Sequence, residues 1–204
     1  GASVTSSTNN TKVIFDKTPP ADFTVGLLTS TGGNQVDGIW NLTNTGMDII
    51  IPIANDTTLK NGTVQLYGKV GSNSFEVLGS ISAILSNEIN ANKIISVSGT
   101  LIEGLTGFSE GQRIYVKAVM SDRPGNITEG SQSIIEILID ETPASITPIS
   151  ILSSNNNTVL AKVGDTVSVS FTTSENLIDT AATISGQNAI ITSLSGNQFV
   201  AVYV

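Results

Sequence analysis

An alternation of apolar and polar residues with a period of two runs through most of this chain. It is clearest in Val64–Val70, Arg113–Met120 and Thr166–Phe171. Successive side chains of a strand point to opposite faces of a sheet, so this period is typical of a half-buried β-strand. Similar patterns predict further strands over five segments: Asp48–Ile53, Phe75–Ile81, Ile94–Gly99, Ser131–Ile139 and Gln198–Val204.

Turn signals separate the predicted strands. Asn61-Gly62, Pro124-Gly125-Asn126 and Gly196-Asn197 combine residues that accept positive φ with residues that bond the local backbone. The one helix-like stretch, Leu101–Leu105, contains Gly104 and is long enough for a single turn. Many short strands joined by turns predict an all-β chain that folds as an antiparallel sandwich or barrel.

The motif Asp-x-Thr-Pro occurs twice, at Asp16–Pro19 and at Asp140–Pro143. The two copies are separated by about the length of one compact domain, and each follows a strand-like run, Lys12–Phe15 or Ile134–Ile139. Proline cannot donate a hydrogen bond to a sheet and favours extended backbone in the residue before it. The motif therefore predicts domain boundaries: residues 1–16 as the tail of a preceding domain, 17–140 as a complete domain, and 141–204 as the N-terminal part of a further domain. Because that last part stops inside an apolar run, we expect the chain to be a piece of a longer protein.

Cysteine and histidine are absent, and only 13% of the residues are charged. A disulfide framework, a thiolate metal site and a Ser-His-Asp or Cys-His catalytic arrangement are therefore impossible. The sequence also lacks a phosphate-binding glycine motif and a Ser-x-x-Lys spacing, so we expect this chain not to be an enzyme. A polar surface of Ser, Thr, Asn and Gln without disulfides favours an exported protein of a bacterial or archaeal envelope, located outside the cell or on its surface.

The net charge at pH 7 is −8, and the nine lysine and arginine residues are scattered singly. Without a basic stripe, binding to nucleic acid or to an anionic membrane surface has no electrostatic support. No apolar run approaches the roughly 18 residues of a transmembrane helix. We therefore expect neither a nucleic-acid partner nor membrane insertion.

Several segments are similar to bacterial immunoglobulin-like repeats. Phe108–Asn126, FSEGQRIYVKAVMSDRPGN, resembles the penultimate strand and following turn of such a repeat, and Leu160–Glu175 resembles the second strand of another. Trp40–Asp56 and Gly62–Val70 are similar to a longer variant found in very large surface proteins. The chain thus resembles tandem immunoglobulin-like (Big-type) repeats of a giant repetitive cell-surface adhesin, such as the gliding-motility adhesins.

This resemblance implies tandem Ig-like antiparallel β-sandwich domains, the last one incomplete. It implies a stalk or spacer that projects a distal binding domain from the cell. The partners would be neighbouring Ig-like domains, the secretion or anchoring machinery, and an extracellular glycan or surface ligand held by other domains. Two alternatives stay open: a carbohydrate-binding or spacer module of a secreted polysaccharide-degrading enzyme, and a surface-layer or fibre subunit. Pairing with a strand of another chain is a further way to complete the last domain.

Calcium is the one cofactor that the sequence suggests, because linker carboxylates and loop carbonyls supply the oxygen ligands that Ca²⁺ prefers. The candidates are Asp16 and Asp140 from the motifs, Glu141 beside the second, and Asp122 and Glu110 from loops. In the alternative interpretation, the motif carboxylates accept hydrogen bonds from backbone N–H groups in turns. The loop Asp122–Asn126, DRPGN, likewise fits either a cation site or a simple turn with Gly125 at positive φ.

The aromatic residues Trp40, Tyr67, Tyr115 and Tyr203 are candidates for a sugar-stacking platform. Their spread over separate strands favours core and scattered surface positions, and a tryptophan is usual in the core of a sandwich. Tyr67 and Tyr115 fall on the polar faces of their predicted strands. An aligned row of exposed aromatic residues on one sheet face would favour the carbohydrate-binding alternative.

Overall fold

The computed structural model describes residues 15–177 and 180–204. Over these residues the chain is nearly all-β, with many short strands, one five-residue α-helix and one turn of 3₁₀ helix. Nearly all strand pairs are antiparallel. The all-β prediction is therefore confirmed.

Two compact units make up the chain: the first ends at Glu141 and the second begins at Thr142. The predicted tail of a preceding domain, residues 1–16, lies outside the described residues except for its last two positions. The same holds for the strand expected at Lys12–Phe15, of which only Phe15 is described, and Phe15 belongs to no strand.

The first unit contains nine strands, one α-helix and one turn of 3₁₀ helix, Thr57–Leu59, within its described residues. In chain order the strands and the α-helix are β1 (Leu28–Thr31), β2 (Ile39–Trp40), β3 (Gly46–Ile53), β4 (Thr63–Val70), β5 (Glu76–Ala83), β6 (Ala91–Ser98), α1 (Gly99–Glu103), β7 (Arg113–Ser121), β8 (Ile127–Glu129) and β9 (Ile137–Ile139). The helix has the single turn that the sequence predicts, shifted by two residues towards the N-terminus.

The strands of the first unit form two sheets. One has three strands in the order β1-β3-β6, all antiparallel. The other follows the order β2-β9-β7-β4-β5, with β8 also paired to β7. Its only parallel pair among the described strands is β2 with β9, in which Ile39 lies opposite Leu138 and Trp40 opposite Ile139.

One hydrophobic core lies between these two sheets. The period-two alternation decides which side chains enter it, because each strand presents every second residue to the same face. Burying a valine, leucine, isoleucine or methionine side chain contributes about 1.5–3 kcal/mol. The buried set from the central strands is Met47, Ile49, Ile51 and Ile53 of β3, Val64, Leu66 and Val70 of β4, and Ile114, Val116, Ala118 and Met120 of β7. Trp40 is also fully buried, and its ring meets that of Phe108 edge-on with centroids 6.4 Å apart.

The strand predicted over Ser131–Ile139 is wrong in its first part. Only Ile137–Ile139 form a strand, and Ser131 makes an isolated parallel bridge to Thr24. Ser133 is buried while Ile134 is 87% exposed. The serine takes the inward position because its N–H donates to the Val116 carbonyl and its hydroxyl accepts from the Val116 N–H.

The second unit contains a four-stranded antiparallel sheet in the order β10-β11-β15-β14, and a separate two-stranded pair, β12-β13. Its strands are β10 (Ile146–Ser153), β11 (Val167–Thr173), β12 (Thr183–Ile184), β13 (Gln187–Asn188), β14 (Ile190–Ser193) and β15 (Gln198–Tyr203). Phe171 and Phe199 stack at the centre of the larger sheet, with ring centroids 5.5 Å apart. Ile149 and Ile151 of β10 remain more than half exposed.

Candidate functional site

The five calcium candidates fall into two groups at opposite ends of β7. Asp122 follows the last residue of this strand, and its neighbour Asn126 donates to the Asp16 carbonyl. Glu110 precedes the strand and accepts from the N–H of Glu141, which adjoins Asp140. A nine-residue strand separates the groups by roughly 25–30 Å at about 3.3 Å per residue. The structure therefore does not bring all five residues into one site.

Asp122 is the centre of a hydrogen-bonded turn. Its side chain is 3% exposed. The Oδ1 atom accepts from the N–H groups of Gly125 and Asn126 at 2.8 and 2.7 Å, and Oδ2 accepts from the Asn126 amide at 2.8 Å. Gly125 has φ 103°, which glycine adopts without strain. These contacts are the ones expected if Asp122–Asn126 is a simple turn.

Asp16 lies beside two basic side chains. Its Oδ1 accepts from the N–H of Thr18 at 3.0 Å, and its Oδ2 is buried without a hydrogen-bond donor in the described part of the chain. A cavity of about 600 Å³ is lined by Asp16, Lys60 and Arg123, together with Thr57, Thr58, Asn61 and Pro124. Two positive charges at this cavity oppose the binding of a divalent cation.

The other group lies at the C-terminal end of the first unit. Glu110 Oε2 accepts from the N–H of Glu141 at 2.8 Å, while the N–H of Asp140 donates to the Trp40 carbonyl at 2.8 Å. The side chains of Glu110 and Glu141 are exposed and half-buried, respectively. No three acidic residues of the described segments are arranged to hold a metal ion. A cation here would need backbone, solvent or neighbouring ligands in addition.

A second candidate site lies on the outer face of the larger sheet. We call it the aromatic–lysine face and define it as Tyr67, Lys69, Phe75, Tyr115 and Lys117. Tyr67 pairs with Lys117 and Lys69 with Tyr115 across β4 and β7, so the two types of side chain alternate. The Lys69 ammonium lies 5.0 Å from the Phe75 ring centroid and 5.1 Å from that of Tyr115. The Lys117 ammonium lies 4.7 Å from the Phe75 centroid and 5.8 Å from that of Tyr67.

Two ion pairs border this face. Lys117 lies 2.7 Å from Glu129, and Arg113 lies 2.8 Å from Glu136. The pKa of Tyr115 is raised by its hydrogen bond to the Glu136 carboxylate, by burial, and by the negative charge of Glu136. A shallow cavity of about 490 Å³ adjoins the face and is lined by Phe75, Lys117, Glu129, Gly130, Ser131 and Gln132.

Sequence patterns identified only part of the aromatic–lysine face. Tyr67 and Tyr115 do point away from the core, as their polar strand positions indicate. Phe75 and Lys69 were missed because their proximity depends on the strand register, which a single sequence does not give. Of the remaining aromatic candidates, Trp40 is in the core and Tyr203 lies at the end of β15 in the second unit.

Comparisons with known proteins do not place the chain in a family. No family model matches it, and no curated protein matches it. A crystal structure of a chicken TCR is similar to it with a TM-score of 0.32 and 11% sequence identity, over 89% of this chain and 86% of that chain. A likeness this weak carries no argument about function. No helix in the described residues is long and apolar enough to cross a membrane.

Proposed function

We propose that this chain is a load-bearing stalk or spacer segment of a large exported, repetitive surface adhesin. Its units are tandem Ig-like sandwiches that project a distal binding domain from the cell. The partners would be neighbouring Ig-like domains and the envelope machinery that secretes or anchors the protein, and other domains would hold the surface ligand. We propose no catalytic role for it.

The parallel pairing between the two ends of the first unit is the observation that carries this proposal. The N-terminal segment pairs with the C-terminal one through Val25 N–H to the Ser131 carbonyl and Ser131 N–H to the Phe23 carbonyl, at 3.1 and 2.8 Å. Further along, the N–H of Leu138 donates to Gly38 and that of Asp140 to Trp40, both at 2.8 Å. We call these four hydrogen bonds the terminal clamp.

Parallel terminal strands resist tension because of the direction in which force reaches them. Pulling the N-terminal and C-terminal ends apart slides one segment along the other, so the load is shared by all four hydrogen bonds of the terminal clamp. Opening a hairpin from its end loads the hydrogen bonds one after another. A spacer under tension benefits from the first arrangement.

The positions of the two Asp-x-Thr-Pro copies also support an array. Asp16 and Asp140 lie at opposite ends of β7, so the two copies mark the two ends of the first unit. The boundary between the compact units falls inside the second copy, between Glu141 and Thr142. Proline in each copy limits the backbone freedom at the joint.

Single-molecule force spectroscopy tests the mechanical proposal. Because the chain contains no cysteine, introduced pairs give unique attachment points. Lys17→Cys with Thr142→Cys loads the terminal clamp along its strands, whereas Lys60→Cys with Ser86→Cys unzips β5 from β4, where Thr63 lies opposite Ala83. We expect the first pair to require the higher unfolding force. An equal or lower force would argue against a load-bearing role.

Calcium at the second motif is a separate proposal, supported by the hydrogen bond that holds Glu110 beside Glu141 and Asp140. Cation binding there would stiffen the joint. We expect EDTA to lower the melting temperature of the wild-type chain and to leave that of Glu110→Gln unchanged. A wild-type melting temperature that is the same with and without EDTA contradicts the proposal.

A further inference from the structure

We propose that the aromatic–lysine face binds a saccharide that carries a carboxylate or sulfate group. The sugar ring lies against the rings of Phe75 and Tyr115, and its anionic group pairs with the ammonium of Lys69. This binding is distinct from the stalk role, because it uses side chains on the outer surface of one sheet, whereas the terminal clamp consists of backbone hydrogen bonds.

The side chains of this face converge on Phe75. The ammonium groups of Lys69 and Lys117 lie 5.0 and 4.7 Å from the centre of its ring, on strands β4 and β7. The Tyr115 ring is 5.1 Å from the Lys69 ammonium. Three aromatic rings and two cations therefore occupy one small area, and all five residues are partly accessible to solvent. Flat apolar rings beside cations match the C–H face and the acidic group of one charged sugar.

The charge of the face selects an anion. Lys117 and Arg113 are neutralised by Glu129 and Glu136, whereas the three ion pairs of the described residues do not include Lys69. One uncompensated ammonium remains on a chain whose net charge is −8. A densely charged polyanion such as nucleic acid would be repelled by the rest of the surface. A ligand with about one charge per ring fits a single ammonium.

The adjoining cavity supplies partners for hydroxyl groups. Glu129, Ser131 and Gln132 line it together with Phe75 and Lys117. Ser131 and Gln132 are exposed, so their polar side chains are accessible to a ligand. An apolar wall with a few convergent polar groups is the usual composition of a small-ligand site.

Binding replaces one set of contacts by a stronger one. In the absence of ligand the Lys69 ammonium rests on the faces of Phe75 and Tyr115. A carboxylate or sulfate draws it into a charge-assisted hydrogen bond, which is stronger than an exposed cation–π contact. The vacated ring faces then become available to the sugar.

Isothermal titration calorimetry on the full chain tests this inference with three probes: an oligogalacturonate, a κ-carrageenan oligosaccharide, which carries sulfate at low density and no carboxylate, and neutral maltotetraose. We expect the two acidic probes, which separate carboxylate from sulfate, to bind at least about tenfold more tightly than maltotetraose. Binding of at least one acidic probe in this way supports the inference. Equal binding of the neutral probe, or no binding of either acidic probe, overturns it.

Substitutions locate the binding to this face. We expect Lys69→Gln to weaken acidic-probe binding about tenfold, a change of about 1.4 kcal/mol in binding free energy, and Lys69→Arg to retain it. The exposed Lys60→Gln is the matched control and should bind as the wild type does. Melting curves of each variant verify folding. Affinity that is unchanged in Lys69→Gln, or lowered as much in Lys60→Gln, overturns the assignment.

Discussion

Single polar side chains hold the loops at the two ends of β7. The Asp122 carboxylate accepts three hydrogen bonds from Gly125 and Asn126, and Asn126 in turn donates to the backbone of Asp16. When one partner of a buried hydrogen bond is removed, the polar group that remains is left without a partner, and the protein loses the full desolvation free energy of that group. The carboxylates of Asp16, Asp122 and Glu110 thus act first as acceptors for backbone N–H groups.

Replacing Asp122 should therefore be costly. In Asp122→Ala the N–H groups of Gly125 and Asn126 lose their acceptor, and we expect the first unit to lose about 2 kcal/mol of unfolding free energy. Urea denaturation measures it. The control Asp37→Ala removes an exposed carboxylate with no hydrogen bond in the described residues, so it should change stability by less than about 0.5 kcal/mol. Equal effects of the two substitutions would refute the role assigned to Asp122.

The turn at DRPGN was predictable from its residue types, since Asp, Asn and Gly are those that such a turn requires. The contact of Asn126 with Asp16 was not, because the two residues are 110 positions apart. The separation of the five calcium candidates also depends on this long-range geometry. From the sequence alone, only Asp140 and Glu141 could be placed side by side, because they are adjacent in the chain.

The connection between β5 and β6 is stabilised by an ion pair between Glu88 and Lys93. Lys93 is 6% exposed, and its ammonium lies 2.8 and 3.0 Å from the two carboxylate oxygens of Glu88. Glu88 also accepts from the N–H of Leu85 at 2.7 Å. Burial raises the pKa of Glu88, but the hydrogen bonds from Leu85 and Lys93 and the charge of Lys93 outweigh it, so the pKa falls below its ordinary value.

This pKa shift makes the stability of the connection depend on pH. A carboxyl group whose pKa is lowered by folding stabilises the fold fully above the ordinary glutamate pKa of about 4.3, and loses that contribution as the pH falls through the lower folded value. The free-energy difference between wild type and Glu88→Gln should therefore shrink between pH 7 and pH 3.

Urea denaturation at a series of pH values measures this difference. The exposed Glu103→Gln is the control, expected to change stability by less than about 0.5 kcal/mol throughout. A difference for Glu88→Gln that stays constant, or grows, as the pH falls is incompatible with a stabilising Glu88 carboxylate.

The strands with strict alternation were predictable because a strand with one buried face has an apolar residue at every second position. β4, β7 and β11 are examples, each found within two residues of its predicted bounds. β1 was missed because it places Ser30 inside the fold, where its hydroxyl donates to the Ile39 carbonyl at 2.7 Å. The parallel pairing of β2 with β9 was also missed, since it joins segments about 100 residues apart. Such non-local pairings leave no local pattern.

At the scale of the whole molecule, the two units differ in how much apolar surface they bury. The first has a continuous core that includes Trp40, Met47 and Leu66. In the second, Phe199 and Ala201 are the buried apolar residues of its described part, while Ile149, Ile151 and Ile190 are more than 60% exposed. The second unit therefore leaves a larger part of its apolar side chains exposed than the first unit does.

The force that the terminal clamp withstands tests the proposed stalk role most directly. Leu138→Pro removes one of its four N–H donors, that to Gly38, whereas Leu78→Ala opens a cavity in the core at the opposite edge strand, β5, and costs about 2–5 kcal/mol. Both variants are pulled through Lys17→Cys and Thr142→Cys. We predict that Leu138→Pro lowers the unfolding force more than Leu78→Ala does, although Leu78→Ala loses at least as much equilibrium stability. A force in Leu138→Pro equal to that of the wild type would contradict the account.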